Sequence, residues 1–154
     1  MAFSNIFSST DISASGLAAE RLRMEVAANN IANAHSTRTA EGGAYHRQHV
    51  IFAAAMDDAV LAGSGGISGR GGAPGLGGVR VLGIQSDDSP LPKVYNPGHP
   101  DADDGGLVEM PNISMPLEMV DLMTASRAYE ANLKSLQTFR QMAEQALSLM
   151  RSVG

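Results

Sequence analysis

The 154-residue chain contains no cysteine and no tryptophan. Without cysteine there is no disulfide, thiolate metal site, iron–sulfur cluster or thiol nucleophile. Aromatic residues make up only 5% of the chain. A β-sandwich or barrel core usually draws much of its burial from aromatic rings, so helices packed side by side fit this composition better. Basic residues are also scarce, 11 against 16 acidic ones, for a formal charge of −5. Nucleic acid or an anionic membrane surface would call for a basic face. No apolar run approaches the roughly 18 residues of a membrane span. Met1–Asn5 carries no Lys or Arg, so no cleaved secretory signal is expected.

What remains is 44% hydrophobic and 18% charged, a globular balance. The charge divides the chain. Residues 1–50 carry four acids and four bases, and residues 111–154 do the same, so the whole −5 falls in residues 51–110.

The neutral ends read as helices. Phe3, Phe7, Thr10, Ala14, Leu17, Met24, Ala28 and Ile31 recur at alternating steps of three and four, the seam of helix-on-helix packing. Arg21 is the one break in that seam. Asn29, Asn30 and Asn33 stand where the helix should close, and their side chains can bond freed backbone groups there. A second helix should open at Ser114 and Pro116. Its seam runs through Met119, Leu122, Ser126, Tyr129, Leu133, Leu136, Arg140, Ala143, Leu147 and Met150 without an internal Gly or Pro. Such a helix, about 50 Å long, exceeds what one small domain buries.

The middle reads as strands and turns. Tyr45–Ala53, Val79–Ile84 and Lys93–Tyr95 are predicted strands. Nine of the 16 residues of Gly63–Gly78 are glycine, which predicts a flexible loop. The expected divisions are residues 1–35, 36–110 and 111–154, a mainly α chain with a small β-rich middle.

No chemistry-bearing constellation stands out. His46 and His49 sit in a predicted strand, where a spacing of three points them to opposite faces. The glycine-rich loop lacks a phosphate-binding fingerprint. Asp101, Asp103 and Asp104 resemble half a calcium loop, but the twelfth position is Asn112 rather than Glu. No catalytic residue, cofactor or metal is expected. The pattern favours a structural or interaction protein.

Several stretches then resemble one family. Ala27–Ala34 is similar to the N-terminal signature of bacterial flagellar rod, hook and hook-associated proteins, and Gly43–Gln48 to the segment that follows it in rod proteins. Gly78–Val81, Val94–Ala102, Met110–Ile113, Glu118–Met123 and Ser126–Asn132 resemble the FlgC-type proximal-rod family of the flagellar basal body, in family order. The resemblance implies a rod subunit in the periplasm, exported by the flagellar type III apparatus. Its partners would be copies of itself, other proximal-rod subunits, the rod-to-ring adaptor, the export gate and the distal rod. It implies terminal helices that pair as an antiparallel coiled coil. Asn29, Asn30, Ile31 and Asn33 become signature residues at the helix end. Leu17, Met24, Ile31, Leu122, Tyr129, Leu133, Leu136 and Leu147 become the helix or subunit interface. The alternatives are another axial rod subunit, or a helical adaptor unrelated to flagella.

Overall fold

A computed structural model describes residues 2–40, 42–56 and 76–152. Helix α1 spans Ala2–Ala32, strand β1 Gln48–Met56 and strand β2 Leu76–Ser86. Strand β3 spans Lys93–Tyr95, strand β4 Leu107–Glu109 and helix α2 Met115–Ser152. The protein is mainly helical, with a small β region between its two helices. β1 pairs with β2, and β3 pairs antiparallel with β4.

The chain falls into two compact units. Unit 1 takes residues 1–20, 52–82 and 127–154. Unit 2 takes residues 21–51 and 83–126. In unit 2 the helices run antiparallel, since residue 23 meets 121 and residue 30 meets 118.

The deepest positions of α1 are Ala19, Val26, Ala27 and Asn30, and those of α2 are Glu118 and Ala125. Small side chains let helix backbones approach closely but remove little apolar area from water. Leu17, Met24 and Ile31, expected on the seam, are half-buried, and Ala28 is exposed. Arg21 points to solvent and binds Glu25 one turn on, so it interrupts no buried row. On α2, Leu122, Tyr129 and Leu136 are half-buried, while Leu133 and Leu147 are exposed.

α1 ends where its asparagines begin to compete for the backbone. The Asn33 N–H and side-chain Nδ2 both reach the Asn29 carbonyl, at 3.0 and 2.9 Å. A tight turn follows, in which Gly42 and Gly43 take positive φ. α2 opens with the Glu118 N–H bonded to the Ser114 carbonyl.

β3 and β4 pair Lys93 with Glu109, Val94 with Val108 and Tyr95 with Leu107. Val108 is 1% exposed and anchors one face of this ribbon. Lys93, Tyr95, Leu107 and Glu109 share the opposite face. β4 has no counterpart among the strands expected from the sequence. β1 has the expected length but starts and ends three residues later than the strand expected at 45–53, and β2 runs longer than the one expected at 79–84. Of the glycine-rich stretch, residues 76–78 open β2, and residues 63–75 lie outside the described residues.

Candidate assembly surfaces and the polar clamp that shapes them

Asn30, near the end of α1, is 1% exposed. A buried amide is costly unless its hydrogen-bonding capacity is met. Its Nδ2 donates to the Gln48 carbonyl at 2.8 Å and to Glu118 Oε2 at 2.9 Å. Its Oδ1 accepts the Gln48 N–H at 3.0 Å and the Tyr45 hydroxyl at 3.3 Å. The side chain thus pairs with the first residue of β1 as a neighbouring strand would. That contact sets where β1 begins.

Glu118 is equally buried. Its Oε1 accepts from Arg47 Nε at 2.5 Å. Arg47 is held from its own backbone as well. Its N–H donates to Asn112 Oδ1 at 2.7 Å, and its carbonyl accepts the Asp87 N–H at 2.7 Å. Asn112 Nδ2 closes the circuit on the Asp87 carbonyl at 3.1 Å. One connected clamp therefore ties the end of α1, the start of β1, the end of β2 and the first turn of α2. A second ion pair, Arg23 with Asp121, joins the two helices of unit 2.

Tyr45 and Asp87 carry shifted proton affinities. Burial pushes the Tyr45 phenol above its ordinary value, and the Glu118 carboxylate adds to the push. Hydrogen bonds from the Ser89 side chain and backbone hold the Asp87 carboxyl below the usual range.

Of the expected helix-end residues, Asn30 enters the clamp, Asn33 caps the helix, and Asn29 supplies the carbonyl that Asn33 binds. Nothing in the sequence marks Glu118, Arg47 and Asn112 as one constellation, since they are scattered along the chain. The available signal was an acid, Glu118, four residues before Leu122 and seven before Ala125, in line with the inward row.

The aspartates of the half calcium loop have structural tasks. Asp101 accepts from Thr37 Oγ1 at 2.8 Å and pairs with Arg38 at 3.4 Å. Asp103 Oδ1 accepts the Gly105 and Leu107 N–H groups, both at 2.9 Å. Among the described residues no group of three or more His, Asp or Glu is placed to hold a metal.

Large apolar side chains stand in water. On α2 they include Leu117, Val120, Met123, Met142, Leu147 and Leu149, each at least half exposed. On the strands Leu82 and Tyr95 are 65% and 69% exposed. Exposed apolar side chains of this size are candidates for contact with other chains. Among the described residues no helix is long and apolar enough to cross a membrane.

Comparison with known proteins agrees with this picture. Residues 11–38 match the family described as flagella basal body rod protein. Residues 104–149 match the C-terminal family of flagellar basal body rod FlgEFG proteins. The flagellar basal-body rod protein FlgC of Borreliella burgdorferi is 41% identical over 150 residues, covering 95% of this chain and 98% of its own. FlgC of Salmonella typhimurium is 40% identical, covering 97% and 98%. FlgC of Bacillus subtilis is 37% identical, covering 93% and 97%. End-to-end similarity at this level makes this chain a member of the FlgC family of flagellar basal-body rod proteins.

Proposed function

We propose that the protein is a structural subunit of the proximal rod, polymerising into a helical tube that encloses the export channel and transmits torque. The observation that carries this reading is the match to FlgC relatives over nearly the whole of both chains. The role is mechanical, not enzymatic. Residues 1–35 and 111–154 form the wall around the channel, and residues 36–110 lie outward. The residue clamp fixes how the β region leaves the helices. The exposed apolar positions of α2, with Leu133 and Leu147 among them, pack against neighbouring subunits. Copies of this chain, other rod subunits, the rod-to-ring adaptor, the export gate and the distal rod are the partners. Export proceeds through the flagellar type III apparatus.

The test is mass spectrometry of detergent-extracted, pelleted basal bodies against the soluble fraction. Enrichment with ring and hook proteins is the expected result. A chain that stays soluble in cells with assembled flagella would overturn the reading and favour a helical adaptor.

A further inference from the structure

Unit 2 carries ten Asp and Glu against five Lys and Arg, whereas unit 1 is balanced at six of each. All five bases of unit 2 are already paired inside it. Arg21 binds Glu25, Arg23 binds Asp121, Arg38 binds Asp101, Arg47 binds Glu118 and Lys93 binds Glu109. The surplus of this unit is therefore wholly carboxylate.

A groove of about 480 Å³ opens in the same unit. Its walls are the turn after α1, the loop at 100–103 and the ribbon face that bears Lys93, Leu107 and Glu109. Its lining is mostly polar, with Pro100, Ala102 and Leu107 as its larger apolar contributors. Its two cations, Arg38 and Lys93, are held by Asp101 and Glu109. Asp103 is a third carboxylate on the groove and faces no cation there. Its bonds to two backbone N–H groups orient it without neutralising its charge.

We propose that this groove receives an extended segment bearing Lys or Arg from a neighbouring basal-body protein, an inference that rests on the rod-subunit reading for its setting. The cation meets Asp103, and its methylene stem lies on Pro100, Ala102 and Leu107, the way long basic side chains cover apolar surface. The volume suits a few extended residues rather than a helix. A second copy offering the same unit is disfavoured, because two surfaces with only carboxylate surplus repel.

The test has two arms. The ¹⁵N-labelled full chain is titrated with the peptide acetyl-Lys-Val-Lys-Val-Lys-amide and with its Glu counterpart. Shifts confined to the groove, from the Lys peptide alone, are expected. Asp103→Asn keeps the Oδ1 acceptor that holds the turn, and it should weaken binding at least threefold. Equal binding of both peptides, or no groove shifts, overturns the proposal. In cells, a photoreactive benzoylphenylalanine replaces Pro100. The expected cross-link joins a basal-body protein through a segment that contains Lys or Arg. Chain present in basal bodies but cross-linked to nothing, or to a segment without a cation, overturns the groove and leaves the rod reading intact. Absence from basal bodies overturns the rod reading, and the peptide titration still decides the groove.

Discussion

Glu118 shows how one side chain can hold a junction. It sits in an apolar stretch of α2, yet it is the acceptor for both Arg47 and Asn30. Glu118→Ala leaves the Arg47 guanidinium without its ion partner and removes one of the two acceptors of the Asn30 amide. A loss of about 3 kcal/mol is expected, read as a lower urea midpoint by circular dichroism. Glu118→Gln keeps an acceptor oxygen, so its loss should be nearer 1–2 kcal/mol. Equal effects of the two would mean that the charge contributes nothing. The shifted groups make predictions of opposite sign. The Asp87 carboxyl is held low, so its contribution is present above the unfolded value of about 3.9 and disappears as pH falls through the lower folded value. Ser89→Ala should lower the melting temperature at neutral pH, with the gap closing toward pH 2. The Tyr45 phenol is held high, so its contribution is complete below about pH 10 and disappears as pH rises through the folded value. Tyr45→Phe should show a shallower alkaline decline than the parent protein. None of these partnerships is visible at single positions of the sequence. The sequence marks Asn30 as a helix-end residue, but its partners lie 15, 18 and 88 positions away.

The secondary-structure elements were legible in proportion to their local signals. α2 has a long seam, no internal Gly or Pro, and a starting proline, and it was read almost to its ends. β3 was read at its true bounds, between turn formers. β4 has three residues after two glycines, and it exists because the turn at 96–106 returns it to β3. Period and propensity cannot reveal a strand that short. The inward face of α1 was harder still. Small and apolar residues cover much of that helix, so more than one row satisfies heptad spacing. Side-chain size decides between them, and it selects the row through Ala19, Val26 and Asn30. Two glycines of unit 1 separate backbone need from side-chain fit. Gly78 has φ of 95°, and a Cβ there would lie 2.3 Å from Ser15 Oγ and 3.2 Å from the Ile12 backbone. The Val79 N–H also donates to Ser15 Oγ at 3.1 Å. Gly78→Ala should cost at least about 1–2 kcal/mol from the left-handed backbone alone. At Gly16 the crowding atom is the Asn132 amide, at 2.9 Å. That side chain can swing away, and helix propensity favours alanine by about 1 kcal/mol. Gly16→Ala should therefore change the urea midpoint far less than Gly78→Ala.

For the whole molecule, the described buried apolar positions are mostly alanines, while large apolar side chains of α2 face water. A chain built this way leaves apolar surface available for contact with other chains. Leu133 is 37% exposed, so Leu133→Asp should leave the helical circular dichroism of the free protein nearly unchanged. The same change should abolish incorporation into basal bodies and motility, since an unpaired charge at a packed interface costs several kcal/mol. Normal motility would remove Leu133 from the interface. The sequence by itself determined the helical ends, the acidic β-rich middle and the family, because periodicity, punctuation and motif order are local or linear properties. The tertiary structure alone decided which helix rows face inward. It alone brought Asn30, Arg47, Asn112 and Glu118 into one clamp, and paired every base of unit 2 with an acid. Those outcomes depend on the meeting of side chains far apart in the chain, where size, hydrogen-bond capacity and charge are matched in space.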